Sequence, residues 1–185
     1  YTLSNSDCIH REYGNYYDLM ANGLYALHFS ALYKDLLGWL QPAEVLEIEQ
    51  SGTYTLTPLE SLTGGLKLAK IISQGQPFYL EYRRGFGFDS SLDNPELATN
   101  QTGLFVLQYF NGSGPYGNET SYLLDLQPTA AGYWGEDILH TTLNDANTFT
   151  WGNVTIGPIL SADDEGVTFN VQVFNPVGTP PVVSF

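Results

Sequence analysis

Basic residues are scarce in this chain: six Lys and Arg face 20 Asp and Glu, a formal charge of −14. Such a balance repels phosphate backbones and anionic lipid headgroups, which sets nucleic acid aside as a partner. Long apolar runs are missing too. No stretch approaches the roughly 18 apolar residues of a membrane span, and no basic flank followed by an apolar run marks a leader at Tyr1. A single cysteine, Cys8, rules out an intrachain disulfide framework, yet 185 residues can bury a real core without such staples. Cys8 is then either a buried free thiol or, in a secreted chain, half of a bond to a partner lying elsewhere. Histidine is limited to His10, His28 and His140. They are widely separated, and no H-x-x-x-H or H-E-x-x-H helix puts two imidazoles on one face, so zinc has no ligand set here. Cys8 lies two residues before His10, too close to form a nucleophile–base pair, and no G-x-S-x-G elbow or Walker loop is present.

What the chain has is strand chemistry. Thirteen Tyr, ten Phe and frequent Thr and Gly favour a β-rich protein. Residues 1–25 mix turn formers with Tyr and show no sustained period, which reads as an irregular packed segment. Phe29, Leu32, Tyr33, Leu36, Leu37 and Leu40 then follow the spacing of one helix face, closed by Pro42. From Val45 the period drops to two. Candidate strands are Val45–Gln50, Thr53–Leu59, Leu66–Ile72, Phe78–Arg83, Leu104–Phe110, Tyr122–Gln127, Thr148–Ile156 and Val167–Phe174. The fold class expected is mainly β: an antiparallel β-sandwich of about eight strands, preceded by an irregular segment and one amphipathic helix. Three parts are expected: 1–43, a sandwich over 44–175, and a Pro-rich extended arm over 176–185. The arm's apolar Pro-Pro-Val-Val-Ser-Phe ending suits docking on a sheet edge.

Four N-x-[S/T] sequons, at Asn100, Asn111, Asn118 and Asn153, lie within 54 residues and point to a glycosylating secretory route. The expected location is therefore extracellular, with N-linked glycans. Asp163-Asp164-Glu165 before Gly166 suits either a calcium loop or an acidic hairpin turn. The turn is preferred, because the ligand spacing of an EF-type loop is missing. Phe78–Asp89, with Glu81, Arg83, Arg84 and Asp89, reads as an ion pair across strands at a strand end. Tyr133, Trp134 and Trp151 could stack on sugars or serve as core and edge cover.

The segment Glu12-Tyr-Gly-Asn-Tyr-Tyr-Asp-Leu-Met20-Ala resembles the Met-turn region of metzincin zinc peptidases, in particular the gametolysin type. Further blocks resemble that family's more C-terminal region: Tyr33-Lys-Asp-Leu-Leu-Gly-Trp-Leu40, Ser51-Gly-Thr-Tyr-Thr-Leu-Thr-Pro-Leu-Glu-Ser61, Tyr79-Leu-Glu-Tyr-Arg83 and Ser121-Tyr-Leu-Leu-Asp-Leu126. The resemblance runs in order over roughly residues 12–174. It implies that residues 1–43 are the remnant of the lower catalytic subdomain and that the rest is the family's C-terminal sandwich. The family's H-E-x-x-H-x-x-G-x-x-H helix matches nothing here. Of its functional pattern only Met20 carries over, as the apolar floor beneath a zinc site, with Ala21 in place of the usual Gly. Cys8 stands where the family often has a cysteine whose mate would lie upstream.

Three functions arise as expectations. The first is a non-catalytic secreted module of metallopeptidase descent, without a cofactor, that acts as a structural or self-assembling unit. The second is the C-terminal portion of an active zinc endopeptidase, with zinc present only if the upstream half is. The third is a carbohydrate-binding sandwich, resting on aromatic content alone. An amphipathic helix without its family core should either repack on the sandwich or join copies of the chain, so a homo-oligomer through the helix face and the C-terminal arm is expected.

Overall fold

A computed structural model describes residues 15, 17–20, 27–93, 103–110, 120–126, 142–143 and 147–174. Period-two alternation is clearest in β10 (Val167–Val173), where Val167, Phe169 and Val171 are buried and the residues between them are less so. The same rule builds β1 (Val45–Ile48), β2 (Gly52–Leu56), β3 (Leu68–Ser73), β4 (Gln76–Arg83), β5 (Gly103–Phe110), β6 (Thr120–Leu123), β7 (Thr142–Leu143), β8 (Phe149–Trp151) and β9 (Val154–Ala162). Among the described residues these strands form two sheets. The first runs β1-β3-β4-β5-β6, with β7 also paired to β5; the second runs β2-β10-β9-β8. The protein is thus mainly β and two-sheeted, as its composition and patterning lead one to expect. One pair departs from the antiparallel rule: β1 and β3 run parallel, Val45 opposite Leu68 and Ile48 opposite Ile71, because the chain crosses to the second sheet as β2 before returning.

The expected strand over Thr148–Ile156 is in fact a hairpin. Gly152, at φ +54°, and Asn153 turn the chain, and Trp151 pairs back onto Val154. Strand β9 then continues through Pro158, where its register with β10 shifts around Phe169. A bulge of this kind is where a sheet tolerates proline.

Between the sheets lies one core, with Phe78, Leu80, Tyr82, Leu104 and Val106 from the first sheet facing Phe149, Ile156, Val167, Phe169 and Val171 from the second. The opposite face of the first sheet is buried as well. There Leu68, Tyr79, Phe105, Leu107 and Tyr109 pack against Tyr17, Leu27, Ala31 and Leu32. Hence β4 and β5 are nearly continuous in burial, the signature of a sheet covered on both sides. Alternation puts Tyr79, Glu81 and Arg83 on this covered face.

The cover includes helix α1 (Ala31–Leu36), six residues where the apolar spacing extends over Phe29–Leu40. Its stop is Gly38, at φ +70°, whose N–H donates to the Asp35 carbonyl while that of Trp39 donates to Lys34. This is a Schellman ending, favoured where glycine takes the left-handed conformation. Leu32 is fully buried, but Leu36 and Leu37, past the contact with β4, are 51% and 52% exposed. Lys70 on β3 pairs with Asp35 at 2.7 Å and fixes the helix across the sheet.

Truncating a core ring and truncating the leucine just past α1 should separate these placements. Phe169→Ala is expected to lower unfolding free energy in urea by about 3–5 kcal/mol, and Leu37→Ala by less than about 0.5 kcal/mol. A large loss for Leu37→Ala would show its side chain to be packed.

Candidate functional site

Charged side chains on a doubly covered sheet must find partners within the protein. Arg83 is fully buried. Its guanidinium reaches Asp89 from Nε at 2.9 Å and from Nη2 at 2.8 and 2.7 Å, donates through Nη1 to the Tyr17 carbonyl and through Nη2 to that of His28 at 3.2 Å. Asp89 sits in the 3-10 turn Gly87–Asp93 that follows β4, and its Oδ1 also accepts the His28 N–H at 2.8 Å. Glu81 accepts the Ala31 N–H, the first of α1, and lies 3.7 Å from Arg83 Nη1. Asp18 accepts the Ser30 N–H at 3.1 Å and the Met20 N–H at 2.9 Å. The pair expected across strands at a strand end is therefore something else. Arg83 bonds to a carboxylate six residues along the chain, and the cluster ties down residues 17–20 and 27–31.

Glu60 is the misfit. It lies in the loop between β2 and β3, whose Pro58 and Ser61 carbonyls are held by the buried ammonium of Lys67 at 2.7 and 2.9 Å. Its side chain is 1% exposed, 3.8 Å from Arg83 Nε, and its carboxyl is hydrogen-bonded to that of Asp89. Burial, and then the neighbouring Asp89 carboxyl, push its pKa up to about 9. Burial likewise raises Glu81 to about 7, against the pull of Arg83. Asp89 is held below the ordinary value: burial acts to raise it, but Arg83 and the hydrogen bonds it accepts prevail. His28 is lowered, first by burial and then by Lys34. At neutral pH Glu60 thus keeps its proton and Glu81 is near its midpoint, beside the Arg83–Asp89 pair.

Glu60 and His28 also line an open cleft of about 1090 Å³. Its other walls are the loop through Ser61 and Thr63, the Phe86–Phe88 segment and the β9–β10 turn. That turn is the acidic hairpin its sequence suggests: Asp163 Oδ1 accepts the Glu165 and Gly166 N–H groups at 2.8 and 3.0 Å. The Tyr82 hydroxyl, donating to the Asp163 carbonyl at 2.8 Å, fixes it against β4.

Of the residues singled out in the sequence, Met20 is 57% exposed on a turn shaped by Asp18. Asn153 is half-buried, its Oδ1 accepting the Ser73 hydroxyl at 2.9 Å. Cys8, His10, Asn100, Asn111, Asn118, His140 and the 176–185 arm lie outside the described residues. Among the described residues no group of three or more His, Cys, Asp or Glu is disposed to hold a metal. Among the described residues Asp18, two positions before Met20, has both oxygens engaged by main-chain N–H groups and offers no free donor for a zinc ion. Glu60 had no signal in the sequence, since a lone Glu in a Pro-, Ser- and Gly-rich loop looks solvated.

The raised Glu60 fixes the sign of a pH effect. Its native form keeps a proton that the unfolded chain releases above the ordinary 4.5, so its contribution is full below pH 4.5 and is lost as pH rises to about 9. Glu60→Gln removes the titration. The stability difference between the variant and the natural protein, from urea unfolding, should shift in the variant's favour between pH 5 and pH 8. A pH-independent difference would mean that Glu60 is ionised in the fold.

No protein-family model matches this chain, nor does any curated protein or solved structure, which leaves the geometry above as the basis for what it does.

Proposed function

We propose that this chain is a non-catalytic, secreted glycoprotein module of metallopeptidase descent, acting as a structural or self-assembling extracellular unit. One observation carries the reading: the buried carboxylates are committed to the fold. Asp18, Glu81 and Asp89 accept the main-chain N–H groups of Met20, His28, Ser30 and Ala31, and Asp89 also holds Arg83. A general acid or base has to reach a reacting atom, whereas these groups clamp the Met20 turn and α1 onto the sheet. The resemblance around Met20 supplies the descent. The charge of −14 and the sequons at Asn100, Asn111, Asn118 and Asn153 support a secreted, glycosylated state without nucleic-acid partners. Exposed Leu36, Leu37 and Trp39 at the end of α1 support association between copies, with the 176–185 arm as a second contact. Among the described residues no helix is long and apolar enough to cross a membrane.

A second reading is favoured by the Met20 turn. Leu19 and Met20 are both exposed, on a turn whose Met20 N–H donates to buried Asp18. That is the form of a floor awaiting a lid, and it fits the C-terminal portion of a zinc endopeptidase whose zinc-binding half lies upstream or on a separate chain.

Metal analysis, intact mass and light scattering of native material distinguish the two. The structural module should carry mass that N-glycosidase removes, hold no stoichiometric zinc, leave casein intact and scatter as a multiple of its 20.4 kDa polypeptide. Zinc bound with a companion polypeptide linked through Cys8 would establish the second reading, and zinc with casein cleavage by this chain alone would overturn the first.

A further inference from the structure

Glu60 and Asp89 belong to elements that form two different walls of the cleft: Glu60 to the loop between β2 and β3, Asp89 to the turn that carries Phe88. Behind those walls their carboxyls meet over one guanidinium nitrogen. Arg83 Nε lies 2.9 Å from Asp89 Oδ2 and 3.8 Å from Glu60 Oε1, and the two acid side chains are 0% and 1% exposed. Ionised carboxylates only accept hydrogen bonds. The bond that joins Glu60 to Asp89 therefore contains a proton, and Glu60 is the group that keeps it.

The surroundings are arranged so that this proton matters. Arg83 is already committed to Asp89 and to the Tyr17 and His28 carbonyls. Glu81, 3.7 Å from Arg83 Nη1, competes for the same cation, with Asp18 adding negative charge beside it. Lys34 is a second cation near the pair, and Lys67 is a third, but Lys67 faces Glu44 as well and spends its protons on the Pro58 and Ser61 carbonyls. His28 gives Asp89 only its main-chain N–H, because burial, and then Lys34, keep its ring neutral in this range. An ionised Glu60 held against Asp89 would thus be a second buried carboxylate without a bond of its own. It has a way out. The residue is partly exposed although its carboxyl is not, so its main chain borders the cleft while its side chain turns inward. A change of rotamer brings the carboxylate into water.

We propose that Glu60 and Asp89 form a proton-operated latch behind the cleft: with the proton between them the β2–β3 loop is closed against the 87–93 turn, and when the proton passes to solvent Glu60 turns out into the cleft, the loop parts from the turn and the wall becomes anionic. The latch is closed at neutral pH and opens as pH rises through about 9. Glu81 ionises earlier, at about 7, and its charge holds the Glu60 proton more tightly. The device requires neither metallopeptidase descent nor association between copies.

Two measurements on the full chain test it. In carbon-detected NMR between pH 4 and 10, the Glu60 carboxyl carbon should titrate with a midpoint of about 9. Subtilisin cleavage within residues 61–65 should be compared with that in Glu60→Gln, whose amide donates to Asp89 as the protonated acid does. The ratio of natural to variant rates, in which the protease's own pH profile cancels, should be near one at pH 7 and about tenfold or more at pH 10. The proposal is overturned if the Glu60 carbon titrates near the ordinary 4.5, a result that needs no variant to fold. It is equally overturned if the cleavage ratio stays near one at pH 10, or if new cuts at pH 10 spread into β4 and β5, which would mean general unfolding in place of a latch.

Discussion

A guanidinium cut off from water must be surrounded by acceptors, and Arg83 takes them from separate parts of the chain: the Asp89 carboxylate just after β4 and the Tyr17 and His28 carbonyls far upstream. Bidentate pairing of this kind gives geometry as well as strength. Replacing a buried ion pair by packed apolar residues is often neutral, but removing one partner is costly. Arg83 therefore specifies a position more than it adds stability. It decides where Tyr17 and His28 lie, and that placement bears on the burial of the first sheet's outer face, the entry into α1 and the presentation of Met20.

That constraint also explains the uneven electrostatics. Asp89 takes most of what the guanidinium offers, and its pKa falls; Glu81 keeps one backbone N–H and rises to about 7; Glu60, buried and hydrogen-bonded to Asp89, rises to about 9. Three carboxyls around one cation cannot all be ionised at low cost in a buried setting. The one left neutral, Glu60, is buried and gives its hydrogen bond to Asp89.

Much of the fold is legible in the sequence, for physical reasons that also mark where reading stops. Strand β10 alternates cleanly because one face is core and the other is not, and the Asp163–Gly166 turn announces itself through local side-chain chemistry. The onset of α1 is visible in its spacing, but its end is set by Gly38, whose left-handed turn overrides an apolar stripe running on to Leu40. Strand β7, two residues long, is too short for any period to show. The buried cluster is legible as charge but not as structure. Glu81 and Arg83 read as an ion pair across strands at a strand end because their covers, Ala31 and Tyr17, are 50 and 66 residues away along the chain, and linear pattern carries no information across that span. Glu60 leaves no trace in the sequence at all.

Native-state hydrogen exchange at the amides of His28, Ser30 and Ala31 tests the central claim most directly. These N–H groups donate to Asp89, Asp18 and Glu81. In the natural protein they should exchange only with the global opening that also releases β4 and β5. In Asp89→Asn they should exchange by a local opening while the two strands stay protected. Rapid exchange at these three amides in the natural protein, or protection unchanged by Asp89→Asn, would contradict the account.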